Sequence, residues 1–133
     1  TSIYGIDIIL DNTQDCRERM LDIFQQRYTE LFKDEIKKEC IKSANYILSL
    51  NIVHGDALTL NTCTVPEEPI FFPEWSMVKP NYFKRRDYTF GELVTHADVS
   101  SMPLFSDLGE DVFIPQALKE YPPVHFLKLF DAY

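Results

Sequence analysis

The chain has 133 residues, 45% of them hydrophobic and 14% aromatic, with 13 basic against 21 acidic side chains and a net charge of −8. That length makes one domain with room for a core, and the apolar content excludes a disordered chain. A negative body repels nucleic acid at long range, so DNA contact needs a local basic patch or a second protein; acidity also permits a surface that imitates DNA to a basic partner.

The first run, Ser2-Ile3-Tyr4-Gly5-Ile6-Asp7-Ile8, is short, apolar and closes on an acid, as a buried strand does. Asp11 to Phe32 predicts a helix. Asp11, Asn12 and Thr13 are N-cap types, Asp15 places charge in the first turn, and Cys16, Met20, Ile23, Phe24, Leu31 and Phe32 form one stripe. A second helix is expected over Asp34 to Leu50, with Ile36, Cys40, Ile41, Ala44, Ile47 and Leu48 inward and Lys37, Lys38, Glu39 and Lys42 outward. The second apolar run, Asn51-Ile52-Val53-His54-Gly55-Asp56-Ala57-Leu58, again carries an acid near its end. Strand, helical crossover, strand is the parallel arrangement, with a right-handed connection.

Beyond Leu60 the helical period stops. Seven of the eight prolines lie between Pro66 and Pro122, with Pro123 last. Pro69 to Val78 and Tyr82 to Phe90 predict an antiparallel hairpin around Lys79-Pro80-Asn81, its first strand held to an edge by Pro69 and Pro73. Further expectations are a helical turn over Glu92 to Ala97, a strand at Val112 to Ile114, Pro115 in a helix first turn, and a docked tail from Tyr121 to Phe130.

Two acids at the carboxyl ends of neighbouring parallel strands outline half of a nucleoside pocket. Asp7 is a candidate acceptor for ribose hydroxyls, with Ile8 against the adenine face; its structural alternative is a strand-end acid that caps the helix beginning near Asn12. Asp56 is a candidate acceptor for an adenine amino group, with Ala57 beside it, or else the cap of a turn through Ala57 and Leu58. The pair together favours the nucleoside origin. Lys84-Arg85-Arg86, near Lys79 and among Tyr82, Phe83, Tyr88 and Phe90, is the concentrated positive charge and a candidate nucleic-acid contact. The alternative, a strand whose outward charges block edge pairing, is preferred. Trp75 reads as a core anchor, and His54 as a core imidazole.

His54, His96 and His125 make no metal-binding spacing with any cysteine or acid, and no P-loop or nucleophile elbow is present. Only 4 glycines argue against a glycine-rich nucleotide cradle. Cys16, Cys40 and Cys63 lack Cys-x-x-Cys spacing and read as buried thiols of a reducing compartment. Without a run of about 18 apolar residues or a basic-then-apolar leader, the expected location is the cytoplasm of a bacterial or phage-infected cell, with no membrane contact.

The run Ser2 to Ile8, then Cys16-Arg17-Glu18-Arg19, then His54-Gly55-Asp56-Ala57-Leu58-Thr59-Leu60 resembles the phage- and plasmid-associated DNA methyltransferase-like proteins often labelled restriction-modification subunit M. Phe72-Pro73-Glu74-Trp75-Ser76, Lys84-Arg85-Arg86-Asp87 and Glu120-Tyr121-Pro122-Pro123-Val124-His125-Phe126 look like the same group, so the likeness covers nearly the whole chain. It implies the class I S-adenosylmethionine-dependent methyltransferase sheet, with Asp7 the second-strand acid at the cofactor ribose and Asp56 the third-strand acid at the adenine. The family's first strand and glycine-containing cofactor loop precede the position where this chain starts. Its Asn/Asp-Pro-Pro-aromatic catalytic loop is not reproduced either, since Pro122-Pro123 follows Tyr121 and precedes Val124.

The expected fold is therefore α/β, a truncated Rossmann-like methyltransferase sheet with two crossover helices and a proline-rich β-hairpin extension. It forms a single domain over residues 1–133, a βααβ half up to residue 60 and a hairpin with docked tail after it. The expected function is a fragment or truncated relative of an adenine-specific DNA methyltransferase that is not catalytic alone. S-adenosylmethionine is the cofactor the resemblance implies, though this chain by itself lacks the means to hold all of it. The alternative is an acidic, non-enzymatic phage-type inhibitor of a restriction or CRISPR nuclease, acting by DNA mimicry. An unpaired sheet edge predicts a homodimer or a protein partner.

Overall fold

A computed structural model describes residues 1–100 and 115–133, with only the backbone described over 96–100. The chain is mixed α/β with two sheets. β1 (Gly5–Asp7) leads into α1 (Leu10–Phe32), a single 3-10 turn (Lys33–Glu35) and α2 (Lys38–Asn51), which passes directly into β2 (Ile52–Asp56). β1 and β2 run parallel, with Gly5 opposite Ile52 and Asp7 opposite His54. The short β3 (Asn61–Thr62) adds antiparallel to β2, completing the first sheet in the order β1-β2-β3.

The helices differ from expectation at their ends. Asp11, Asn12 and Thr13 lie inside the first turn of α1 rather than capping it; the cap position is Ile9 and no side chain caps it. The first-turn acid is Asp11, while Asp15 pairs with Arg19 one turn on, at 2.8 Å. α1 stops where Lys33 takes φ 44°, a left-handed conformation uncommon outside glycine and asparagine. That break delays α2 to Lys38, and the Tyr28 hydroxyl accepts the amide of Lys37 at 3.0 Å just before it. Arg17 of α1 then pins the crossover. Its guanidinium donates to the carbonyls of Ser49 (3.2 Å) and Ile52 (2.9 Å from Nε), where the end of α2 leaves carbonyls without helical partners.

The second sheet is the expected hairpin, β4 (Phe71–Lys79) and β5 (Tyr82–Thr89), turned by Pro80-Asn81 with Asn81 at φ 66°. β4 lies at the edge, as Pro73 within it requires, with Pro73 opposite Asp87. The other side of β5 receives β6 (Lys119–Glu120) along Arg86–Asp87 and β7 (Val124–His125) along Tyr82–Phe83. α3 (Phe90–Ser100) extends the turn expected at Glu92 to Ala97. Val112 to Ile114 lies outside the described residues. Pro115 corrects an expectation: it stands in irregular chain leading to β6, not at a helix start.

The buried apolar core is Ile52, Ile70, Phe72, Trp75 and Leu129. Each such side chain contributes about 1.5–3 kcal/mol by leaving water. Trp75 is the anchor its sequence suggested, its indole donating to Asn51 Oδ1 at 3.1 Å. The tail docks as expected, a 3-10 turn over Phe126–Asp131 that presses Leu129 against α2. The α1 stripe is only half covered, with Ile23, Phe32 and Leu31 exposed, the last at 73%. One expectation fails here. Cys16 is exposed, and Cys40 and Cys63 are half-buried, so none is a core thiol. No helix among the described residues is long and apolar enough to cross a membrane.

Candidate functional site

Parallel pairing brings the carboxyl ends of β1 and β2 to one edge of the first sheet. Because Asp7 sits opposite His54, Asp56 lies two residues farther along, about 7 Å beyond Asp7 in the strand direction. Each acid is oriented in the same way, by the amide two residues on. Asp7 Oδ1 accepts from Ile9 N at 2.8 Å, and Asp56 Oδ1 accepts from Leu58 N at 2.8 Å. This Asx geometry turns the chain out of each strand and fixes the direction of the carboxylate. Asp7 Oδ2 also accepts from the Asn12 side chain at 3.3 Å. The reading of Asp56 as the cap of a turn therefore has a direct contact behind it; Asp7 makes the same turn contact but does not cap α1, whose cap position is Ile9, and lone pairs stay free on both carboxylates.

His54 ties the two strand ends together, its Nε2 lying 3.0 Å from the carbonyl of Ile8. It is half-buried, a bracing group rather than a core imidazole. After Asp56 the chain makes one tight turn, closed by Leu60 N donating to Asp56 O at 2.9 Å, with Leu60 at φ 64°. A branched side chain in the left-handed region stores strain. Two bonds around it hold it there, since the Leu60 carbonyl in turn accepts from Ile70 N at 2.9 Å.

Between this turn and the loop after β3 opens a cleft of about 400 Å³, lined by Ile8, Asp56, Thr59, Thr62, Cys63 and residues 64–67. It brings together Ile8 and Asp56. Asp7 and Ala57 are not among its lining residues, and Ala57 is exposed. The threonines are missed by motif reading; Thr62 and Thr64 share a hydroxyl bond at 2.6 Å, and polar β-branched residues at this density in a short loop are their one sequence signal. Leu58 stands beside the cleft at 93% exposure, and Val65, which lines it, is 100% exposed.

The residues present fit one end of an adenine nucleoside. Asp56 keeps Oδ2 unengaged among the described residues and Ile8 offers an apolar face, while the threonine hydroxyls, whose protons go to Asp56 O, Thr64 Oγ1 and Pro66 O, keep only acceptor lone pairs for a ligand. Asp7 fits a ribose hydroxyl through its remaining lone pairs.

The basic triplet is divided by the strand period. Lys84 and Arg86 point to one face, where Glu120 of β6 meets both, Oε2 at 3.5 Å from Lys84 Nζ and Oε1 at 3.2 Å from Arg86 Nε. The Arg86 contact has ion-pair distance without hydrogen-bond direction, which leaves its Nε without a hydrogen-bond partner. Arg85 points inward and is 4% exposed. It makes a two-pronged pair with Asp87 (2.7 and 2.9 Å), donates to Tyr46 at 3.0 Å, and lies over the rings of Tyr121 and Tyr133. Burial opposes its charge, but the bonds and attraction of Asp87 more than offset that, so its pKa is raised. Among the described residues no group of acids, histidines and cysteines has the arrangement of a metal site.

Comparison with known protein families, characterised proteins and solved structures yields no match.

Proposed function

We propose that the chain carries the adenosine-binding half of an S-adenosylmethionine-dependent, adenine-specific DNA methyltransferase, built on a Rossmann-like sheet, and does not transfer a methyl group by itself. One observation supports this most: two carboxylates at the ends of adjacent parallel strands, each aimed by the amide two residues on, beside a cleft that Ile8 and Asp56 both line. The bound cofactor would supply an electrophilic methyl group. In this reading Asp56 accepts the adenine amino hydrogens, Asp7 accepts ribose hydroxyls, and Ile8 covers the adenine face. Ala57, exposed beside Asp56, offers no side chain that would block approach. Lys84 and Arg86 are already matched by Glu120, so DNA is met weakly or through a partner.

The second reading, an acidic inhibitor of a nucleic-acid-processing enzyme, draws on a different observation. Among the described residues β1 pairs with β2 alone, and Ile3, Ile8, Ile9 and Leu10 around it are exposed. A one-sided strand flanked by aliphatic side chains suits a second copy or a larger protein.

Calorimetric titration with S-adenosylmethionine separates the two. The first reading expects measurable heat, with affinity falling about tenfold in Asp56→Ala and less in Asp7→Ala, whose carboxylate is already shared with Asn12. Absence of heat up to millimolar ligand would overturn it. Inhibition of a purified restriction or CRISPR nuclease would then carry the second, and light scattering at high micromolar concentration reads the dimer.

A further inference from the structure

A cavity of about 240 Å³ lies between α1, α2, the segment before β1 and the C-terminal tail. It shares no lining residue with the strand-end cleft. Its walls are almost wholly apolar, with Met20 and Phe24 from α1, Ile47 and Leu48 from α2, Phe83 from β5 and Leu129 from the tail. One polar atom stands out. Ser43 is 3% exposed, lines the cavity, and its Oγ has no hydrogen-bond partner among the described residues. A serine inside a helix ordinarily returns its hydroxyl to a carbonyl one turn back. A buried hydroxyl that bonds nothing is costly, and native proteins rarely leave one so.

The neighbouring polar group is spent. Asn51 donates to the carbonyl of Thr1 at 3.1 Å and accepts from Trp75. Water is a poorer occupant, because a buried water needs two to four polar partners and, besides Ser43, the lining offers only Asn51, already bonded twice, the weakly bonding Cys40 thiol and exposed Thr1. A charged ligand is poorer still. No acidic or basic side chain lines the cavity, so a charge would lose its hydration without compensation.

We propose that this cavity binds a small uncharged amphiphile, an apolar body bearing one hydroxyl or carbonyl that bonds Ser43 Oγ. By comparison with an engineered cavity of roughly 150 Å³ that takes up benzene, the space suits a ligand of about seven to nine non-hydrogen atoms. Half-exposed Ile3 lines the cavity and marks the way in. Cys40, also on the wall, reports occupancy, since a molecule in the cavity shields its thiol.

The test titrates the full chain with p-cresol and with p-xylene, which match in shape and differ by a hydroxyl for a methyl. Binding is followed by chemical-shift changes, and alkylation at Cys40 and Cys16 is mapped by mass spectrometry. The expected result is saturable p-cresol binding about fivefold tighter than p-xylene, the worth of one neutral hydrogen bond. Alkylation at Cys40 slows on binding while that at exposed Cys16 does not, and Ser43→Ala removes the preference. No saturable binding of either probe, equal affinities, or a preference that survives Ser43→Ala overturns the proposal. Should Ser43→Ala fail to fold, the affinity ratio and Cys40 protection in the unaltered chain decide alone.

Discussion

The two halves of this chain bury opposite things. In the hairpin and tail, the interior is a network that joins distant residues: Trp75 of β4, Arg85 and Asp87 of β5, Tyr46 of α2, and Tyr121 and Tyr133 of the tail. In the βααβ half, α1 fully buries only Thr13 and α2 only Ser43 and Asn51, while Ile9, Leu10, Ile23, Leu31 and Phe32 face out. Fold stability is thus concentrated in the second half. The first half leaves apolar surface exposed, and both hollows lie where it meets the second: the cleft between the ends of β1 and β2 and the loop after β3, the cavity between α1, α2, β5 and the tail.

The sharpest way to break this comparison is at Arg85. Removing one member of a buried, hydrogen-bonded ion pair strands the other, so Asp87→Ala and Arg85→Ala should each cost about 3–5 kcal/mol, read by urea denaturation. Converting both to apolar residues, Arg85→Met with Asp87→Leu, should cost much less than either single change. Equal losses for single and double variants would mean that the aromatic cage, not the ion pair, holds the tail.

Next in size is the joint between the halves. Asn51→Ala leaves the buried Trp75 indole N–H without an acceptor and frees the Thr1 carbonyl, at a cost of about 1–3 kcal/mol. Gly55→Ala should fall in the same range by crowding: its Cβ would lie 2.7 Å from Ile70 Cδ1 and 3.1 Å from the Asn61 carbonyl, and overpacking costs about 1–3 kcal/mol. Gly5→Ala is the control. There the nearest atom, Ile52 Cδ1, is at ordinary contact distance, 3.5 Å, and the change should stay within about 0.5 kcal/mol. Thermal melts of the two glycine variants compare the strands directly.

Elements driven by local pattern were legible in the sequence. The helices, the parallel pair and the hairpin follow from spacing, turn residues and proline placement, and the strand-end acids follow from the ends of two apolar runs. What was not legible depends on distant partners. Arg85 reads as one of three exposed cations until β5 is known to put Phe83, Arg85 and Asp87 on one face; the signal that could have found the pair is Arg-x-Asp within a strand. The two-residue strands β6 and β7 have no pattern long enough to detect. The break at Lys33 has no proline or glycine to announce it. The α1 stripe was legible as apolar but its exposure was not, because periodicity tells which face is apolar and not whether anything lies against it.

That last point yields the smallest expected effect and the most informative one. If Leu31 meets only water, Leu31→Glu should change stability by no more than about 0.5 kcal/mol, since isolated surface substitutions rarely do more. Extending the helix stripe with a charge at this position should also leave the far-ultraviolet spectrum unchanged. A loss above about 1.5 kcal/mol that grows with protein concentration would show instead that α1 is covered by a second copy, because only association makes apparent stability depend on concentration. In that event the exposed face of α1 belongs to an interface, and the contrast between the halves becomes one between a core closed within the chain and a core completed between chains.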